Sequence, residues 1–159
     1  MIEKPMGALV LGLGNLLLCD DGVGVHAIRR LQSDPRVPPE AVLMDGGTQG
    51  LSLLPHISGF RRLLVMDAVD VGEEPGALIR LEGPALDNLP GKPSVHQLGF
   101  ADLVVALKLL GESPEKIVVL GMQPQSSQWS TELSPTVQDR LDRLVDAAVV
   151  QLKIWATRN

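Results

Sequence analysis

The sequence predicts an α/β sandwich built on a mainly parallel sheet, and two observations favour this fold class. Five short runs are mainly apolar, and the first of them, residues 8–12, is continuous in the way that is typical of a strand buried on both faces. Between them lie segments whose apolar residues recur at helical spacing. Buried strands that alternate with amphipathic helices are typical of a parallel sheet covered by helices. With 159 residues and no repeat or linker, residues 1–159 are expected to form one domain.

The first half of the chain predicts three strands and two helices. The predicted strands are residues 8–12, 41–44 and 63–66. After the first strand, apolar residues at helical spacing begin at Val23, and the Asp34-Pro35 pair ends that helix. Residues 51–57 predict a shorter helix before the third strand. This order of elements is the one expected for parallel strands joined by crossover helices.

The second half predicts two more strands and two longer helices. Residues 77–81 and 117–120 are the strands, and the short link before residue 77 allows that strand to run antiparallel. The longest irregular stretch is predicted at 83–93, which carries three prolines. One helix is expected to bury Phe100, Leu103, Val104, Leu107 and Leu110 and to end at Gly111. Ser134-Pro135 predicts the capped start of a last helix, which is expected to bury Val137, Leu141, Leu144, Val145, Ala148 and Leu152.

Composition excludes several classes of function. The net charge is -5, no basic patch stands out, and the chain has no Tyr and only two Phe and two Trp, which argues against nucleic-acid binding. Cys19 is the only cysteine, so an internal disulfide and a CxxC metal site are impossible. No signal peptide and no apolar run of membrane-spanning length is found, and we therefore expect a cytoplasmic protein that does not bind a membrane.

Carboxylates follow three of the predicted strands. Asp20 and Asp21 come after the first, Asp45 after the second and Asp67 after the third, while His96 opens a helix after the longest loop. In open α/β sheets, ligands bind beyond the carboxyl ends of the strands, so these side chains are expected to share one edge. Two carboxylates and an imidazole facing one cleft can hold a borderline divalent metal such as nickel or zinc, with the other coordination positions open.

Each of these residues also has a structural interpretation. Either member of the Asp20-Asp21 pair could cap the helix that follows it, and Asp67 could serve only to accept turn amides. Ser94 and Gln97 match a capping box, which leaves His96 unexplained in the first turn. A helix N-terminus favours the neutral imidazole that binds metals. Spacing alone supports an α/β domain with a cleft lined by carboxylates and a histidine.

Other motifs in the sequence do not match a complete binding or catalytic site. Gly12-Leu13-Gly14 lacks the third glycine of a dinucleotide fingerprint, because Leu17 stands at that position. Cys19 has no basic neighbour that would lower its pKa, and no Gly-x-Ser-x-Gly elbow occurs. His26 and His56 lie in helical segments and are expected to be structural.

Six motifs, in order along almost the whole chain, carry a family resemblance. They are Gly12-Leu13-Gly14-Asn15-Leu16-Leu17 running into Asp20-Asp21-Gly22-Val23-Gly24, Asp45-Gly46-Gly47-Thr48-Gln49-Gly50, Met66-Asp67-Ala68-Val69-Asp70, Ser94-Val95-His96-Gln97-Leu98-Gly99, Gly121 to Pro124, and Leu133-Ser134-Pro135. Together they resemble the nickel-iron hydrogenase maturation endopeptidases. The resemblance implies a three-layer α/β/α sandwich with a five-stranded, mainly parallel twisted sheet.

The resemblance also implies the activity and its site. Family members remove a short C-terminal extension from the nickel-loaded precursor of the hydrogenase large subunit. Their metal-contacting and catalytic trio falls on Asp21, Asp67 and His96, which would make this an aspartic-type endopeptidase. The nickel is expected to belong to the substrate, with no permanently bound catalytic metal, and the protein is expected to be a monomer. Asp45 or Asp20 could act as general base.

Two departures from the family pattern and three alternatives stay open. Many members have Glu where this chain has Asp21, and Gln125 stands where an acidic residue is common. One alternative is a self-contained metallohydrolase that binds its own zinc through the same trio. The others are a nucleotide-binding module and a non-catalytic chaperone or binding module for the hydrogenase large subunit.

Overall fold

The computed structural model describes residues 7–86 and 95–158, with the backbone alone for residues 95–99. Its strands are β1 (Ala8–Leu13), β2 (Val42–Gly47), β3 (Arg62–Ala68), β4 (Leu78–Glu82) and β5 (Lys116–Met122). Its helices are α1 (Val23–Gln32), α2 (Leu54–Ile57), α3 (Val95–Leu109) and α4 (Pro135–Thr157). Short 3₁₀ turns occupy Cys19–Gly22, Gly50–Leu53 and Gly83–Leu86. The five predicted strands and the predicted helices are all found within a few residues of their expected bounds.

The five strands form one sheet in the order β2-β1-β3-β5-β4. The first four are parallel, and β4 pairs with β5 in the antiparallel direction. The prediction that the fourth strand can run antiparallel is confirmed. Because the four parallel strands point the same way, their carboxyl ends meet along one edge, which we call the carboxyl edge.

Helices cover both faces of the sheet and make three layers. On one face, α1 and α4 contact each other and pack on β1, β3 and β5, and the buried residues there include Ile28, Leu64 and Leu144. On the other face, α2 and α3 pack on the same strands, with Leu63 and Leu103 among the buried residues. The central strands β1, β3 and β5 are largely buried on both sides because each side faces a helical layer, whereas the edge strands β2 and β4 are partly exposed and so differ from the expected buried strands.

Helix α3 runs from the carboxyl edge to the opposite edge. The chain leaves α3 at Leu109 and enters β5 at Lys116, which pairs with Arg62 at the beginning of β3. A helix of 15 residues is about 22 Å long, which matches the length of the strands that it covers. The start of α3 therefore lies towards the carboxyl edge, in keeping with the contact between α3 and the turn Gly50–Leu53.

Four details of the predicted elements are wrong. Asp45 lies inside β2 and Asp67 lies inside β3, whereas both were expected after their strands. Leu110 is 61% exposed, because α3 ends at Leu109 and the chain has already turned away from the sheet. Ser134 stands at the N-cap of α4 but makes no side-chain capping bond, since its hydroxyl donates to Asp20. Residues 83–86 of the predicted loop form a 3₁₀ turn, and the rest of that loop lies outside the described residues.

No helix in the described residues is both long enough and apolar enough to cross a lipid bilayer.

Candidate functional site

The order of the strands singles out the ends of β1 and β3. The chain goes from β1 outward to β2 on one side, and then returns to form β3 on the other side of β1. In an open α/β sheet, such a reversal leaves a crevice between the two strands at their carboxyl ends, where ligands bind. Asp67 lies one residue before the end of β3, and Asp21 lies in the connection that leaves β1.

Asp67 is a buried carboxylate at this crevice. Asp67 is 5% exposed, and its Oδ1 accepts a hydrogen bond from the N–H of Ala68 at 2.8 Å. This bond satisfies the turn-amide interpretation in part, because Asp67 does bind a neighbouring amide. A carboxylate held at the end of a central strand is costly to keep charged without interactions of this kind. Its position on β3 holds the carboxylate at the carboxyl edge of the sheet.

Asp21 belongs to the 3₁₀ turn Cys19–Gly22, which we call the aspartate turn. This turn contacts β3, so Asp21 and Asp67 lie on neighbouring segments at the same crevice. Asp21 is half-buried, and its Oδ2 accepts a hydrogen bond from the N–H of Asn15 at 3.1 Å. The N-cap position of α1 is Gly22 and makes no side-chain capping bond, so neither aspartate caps this helix as one interpretation predicted.

Two glycines allow the aspartate turn to lie so close to the strands. A Cβ at Gly14, whose φ is +133°, would come within 2.0 Å of the carbonyl oxygen of Asp21. A Cβ at Gly24 would lie 2.1 Å from the carbonyl oxygen of Met66 and 2.4 Å from that of Leu13. Only glycine lets α1 start directly against the ends of β1 and β3. The glycine-rich motif thus serves backbone packing around the site.

Asp20 binds the loop after β5, which we call the rim loop (residues 123–134). The side chain is fully buried, and its Oδ2 accepts hydrogen bonds from the N–H groups of Gln125 (2.9 Å) and Ser126 (3.0 Å) and from the hydroxyl of Ser134 (2.7 Å). Its Oδ1 accepts one from the N–H of Ser134 at 2.8 Å. Four donors surround this carboxylate, and burial leaves no path for a substrate to its oxygens. The geometry favours a structural role for Asp20 over the role of a general base.

Asp45 and His96 are the other two predicted site residues, and the structure describes all of Asp45 but only the backbone of His96. Asp45 lies near the end of β2 and is exposed, and its Oδ1 accepts a hydrogen bond from the N–H of Gly47 at 3.0 Å. The backbone of His96 lies in the first turn of α3, while its side chain lies outside the described residues, as do Ser94 and the side chain of Gln97. Among the side chains that are described, no group of three His, Cys, Asp or Glu is arranged to hold a metal.

Gln123 is a site-edge residue that sequence reasoning missed. It is 5% exposed, and its Oε1 accepts hydrogen bonds from the N–H groups of Val71 (2.9 Å) and Glu73 (3.2 Å). Its Nε2 donates to Oδ1 of Asp70 at 2.9 Å. Gln123 therefore joins the rim loop to the loop after β3. Its place directly after the fifth strand was the available signal, because polar residues at strand ends are those that line this edge.

The remaining nucleophilic and basic candidates stay outside the crevice chemistry. Cys19 is buried in the aspartate turn with a φ of +51°. His56 is exposed on α2. His26 lies on α1, and within the described residues its buried Nε2 has no hydrogen-bond partner. Burial lowers the pKa of His26, nearby Arg29 lowers it further, and the carboxylate of Asp20 opposes both effects.

In chemical terms, the crevice offers two carboxylates on adjacent segments, with a third carboxylate on the neighbouring strand end and the first turn of α3 close by. Carboxylate oxygens at such a place can bind a cation or accept a proton from water. With Cys19 buried, no described thiol is offered to a substrate. The arrangement is therefore suited to hydrolysis by water more than to covalent catalysis.

Comparison with known proteins gives a consistent result. A family described as hydrogenase maturation protease matches residues 25–151 of this chain. The hydrogenase expression/formation protein HupD of Rhodobacter capsulatus is 37% identical over 155 residues, which cover 96% of this chain and 74% of that protein. The hydrogenase 2 maturation protease of Escherichia coli is 36% identical over 152 residues, covering 93% of this chain and 92% of that protein.

Solved structures agree with these matches. The hydrogenase maturating endopeptidase HybD from E. coli superposes with a TM-score of 0.86 at 33% identity, and the match covers 92% of both chains. The nickel-iron hydrogenase maturation protease HybD from Thermococcus kodakarensis has a TM-score of 0.75 at 25% identity, covering 92% of this chain and 99% of that one.

Proposed function

This chain belongs to the hydrogenase maturation protease family and is an endopeptidase, and from this premise we propose that it removes a short C-terminal extension from the large-subunit precursor of a nickel-iron hydrogenase after nickel insertion. We propose further that the nickel belongs to the substrate and is recognised through Asp21, Asp67 and His96. The protein then needs no resident catalytic metal, and its partner is the precursor itself.

The position of Asp21 and Asp67 is the observation that carries the proposal. Asp21 lies on the connection that leaves β1 and Asp67 lies at the end of β3, so the two flank the switch point where an α/β sheet binds its ligand. The first turn of α3, which includes His96, lies at the same edge. Two carboxylates and an imidazole suit a borderline divalent metal, and three ligands leave positions for the thiolates that hold nickel in the substrate.

Recognition through the metal would act as a checkpoint. A precursor without nickel offers nothing for Asp21, Asp67 and His96 to bind, so its scissile bond is not held in the crevice. Once docked, a metal polarises a carbonyl or activates a water molecule. Asp45 is the better candidate for the general base, because it is exposed whereas Asp20 is buried and already accepts four hydrogen bonds.

The proposal is tested by the intact mass of the precursor. The large-subunit precursor from the same organism is incubated with this protein in nickel-loaded and nickel-free forms. We expect the C-terminal peptide to be lost from the nickel-loaded form alone. A precursor that stays whole in both forms contradicts the proposed substrate. Stoichiometric zinc in the active purified protein would favour the self-contained metallohydrolase instead.

The trio is tested by Asp67→Asn and His96→Ala. We expect both variants to stay folded and to lose processing by about 100-fold or more, because each removes a group that contacts the substrate's metal. Asp139→Asn on the exposed surface of α4 and His56→Ala on α2 are matched controls and are expected to keep wild-type rates. Undiminished cleavage by either trio variant would remove that residue from the site.

A further inference from the structure

Among the large apolar side chains that are open to solvent at the carboxyl edge, two lie on neighbouring segments of the chain. Trp129 on the rim loop is 80% exposed, and Leu17, just before the aspartate turn, is 52% exposed. Their backbones are neighbours, because the N–H of Ser130 donates to the carbonyl oxygen of Leu17 at 2.9 Å. Exposed apolar side chains on neighbouring segments beside a crevice are typical of a surface that binds another protein.

The backbone that carries these two side chains is firmly held. Leu18 and Ser130 form an isolated parallel bridge, and the N–H of Cys19 donates to the carbonyl oxygen of Ser130 at 3.0 Å. The N–H of Asp20 donates to the carbonyl oxygen of Ser126 at 3.1 Å, and the side chain of Asp20 binds the same loop at both of its ends. Because this scaffold is already ordered, a partner that covers Trp129 orders little additional backbone on binding.

Charge is distributed unevenly around the same edge. Four loops that the structure describes meet there, residues 14–22, 45–53, 69–77 and 123–134, and these four contain no Lys and no Arg. Their carboxylates are Asp20, Asp21, Asp45, Asp70, Glu73, Glu74 and Glu132. Arg140, in α4 beside this edge, donates to the carbonyl oxygen of Pro75. These loops therefore present negative charge around the apolar pair.

We propose that Leu17 and Trp129 form the docking anchor for the folded precursor, and that the precursor surface they meet is an apolar patch flanked by Lys and Arg. This inference rests on the proposed function. The anchor is continuous with the aspartate turn, so a protein seated on it lies against Asp21 as well. The surrounding carboxylates complement a cationic surface and disfavour an anionic one. The docking anchor would thus select the precursor before Asp21, Asp67 and His96 bind its nickel.

The anchor is tested by the dissociation constant of the nickel-loaded precursor, measured with Trp129→Ala, Leu17→Ala and the wild type. We expect Trp129→Ala to weaken binding by about 10- to 30-fold, as for a central aromatic contact, and Leu17→Ala to weaken it less. Leu109→Ala is the matched control, because Leu109 is 83% exposed but lies at the opposite edge of the sheet. A dissociation constant for Trp129→Ala equal to that of the control overturns the anchor.

The charge of the partner surface is tested by Glu73→Lys and Glu132→Lys. Both are expected to weaken binding by about 3- to 10-fold at low salt and to reduce the salt dependence of the affinity. Glu112→Lys changes the net charge equally at the far end of α3 and is expected to have little effect. Tighter binding by the two rim variants would mean that the precursor surface is anionic, which overturns this part of the inference.

Failure of docking and failure of the proposed activity give different results. In one outcome, the wild type binds the precursor, the anchor variants bind it weakly, and neither the wild type nor any variant cleaves it. The docking anchor is then supported and the proposed cleavage fails. If cleavage occurs with equal affinity and rate in wild type and Trp129→Ala, the activity stands and the anchor fails. Sedimentation of the protein alone tests a further possibility. If the wild type is a dimer and Trp129→Ala is a monomer, a second copy of the chain occupies the anchor and the inference is overturned.

Discussion

Asp20 illustrates how a charged residue in an apparent catalytic motif can serve the framework. Burying an isolated carboxylate costs free energy. None of the hydrogen bonds to the Asp20 oxygens described above comes from a cationic side chain. Four hydrogen bonds from backbone amides and a serine hydroxyl offset the cost instead. Asp20 and Asp21 are adjacent in sequence, yet one faces the rim loop and the other lies at the crevice.

We predict that Asp20→Asn lowers the free energy of unfolding by about 2–4 kcal/mol. The amide of asparagine puts N–H groups where one carboxylate oxygen accepted hydrogen bonds, so buried donors face each other. Urea unfolding measures the effect. Asp139→Asn, at an exposed position of α4, is the control and is expected to change stability by less than about 0.5 kcal/mol. Equal stabilities of the two variants would show that the four bonds contribute nothing.

At the scale of elements, α1 has a glycine in its first turn, which helix propensity disfavours. Gly24 lies in the first turn, where alanine would stabilise an isolated helix by about 1 kcal/mol. The backbone carbonyls of Met66 and Leu13 occupy the space that a Cβ needs. Close packing of the helix start on the strand ends therefore outweighs propensity at this position.

We predict that Gly24→Ala destabilises the protein by about 3 kcal/mol or more, because α1 must move away from two carbonyl oxygens. Gly72→Ala is the comparison, since Gly72 has a φ of +75° but no atom within 4 Å of a new Cβ. Its cost is expected to be about 1–2 kcal/mol, from the left-handed backbone alone. Thermal unfolding of both variants measures the difference. A Gly24→Ala variant as stable as the wild type would mean that α1 shifts at no cost.

The rim loop joins the start of α4 to the connection between β1 and α1 through one residue. Ser134 precedes α4, but its hydroxyl and its N–H both bind Asp20 in the connection between β1 and α1. The start of α4 is thus tied to the aspartate turn. Sequence patterns predict the helix start correctly from the Ser-Pro pair, while the partner of the serine depends on a contact between residues more than 100 positions apart.

At the scale of the whole molecule, two apolar layers share one sheet. Leu63 and Leu64 are consecutive in β3 and are both fully buried, but they face opposite layers. Neither layer is complete without the strands, so each layer supports the other. Such an arrangement is expected to unfold as one unit.

We predict that Leu63→Ala and Leu64→Ala each lower the free energy of unfolding by about 2–5 kcal/mol. Both variants should unfold in a single transition, with coincident midpoints by far-ultraviolet circular dichroism and by tryptophan fluorescence. Val150→Ala, at an exposed position of α4, is the control. Two separate transitions in either variant would show that the layers unfold independently.

The family assignment was accessible from sequence because its evidence is local. Each motif is a short run such as Asp45-Gly46-Gly47. The six runs and their order can be recognised without knowledge of the fold. The comparisons confirm the resemblance to hydrogenase maturation proteases, and the structure confirms the sandwich with its mixed sheet. The roles of Asp21, Asp67 and His96 remain predictions.

By itself, the sequence determined the strands and helices, the family, and the short list of carboxylates from which a site could be chosen. These features depend on apolar periodicity and on residues that are neighbours along the chain. The tertiary structure decided that β1 and β3 flank the switch point, and that Asp20 is buried under the rim loop while Asp21 lies at the crevice. It also decided that the backbone segments carrying Leu17 and Trp129 are neighbours. The physical reason is that pairing of distant strands and loops sets which side chains meet, and no local pattern specifies those pairings.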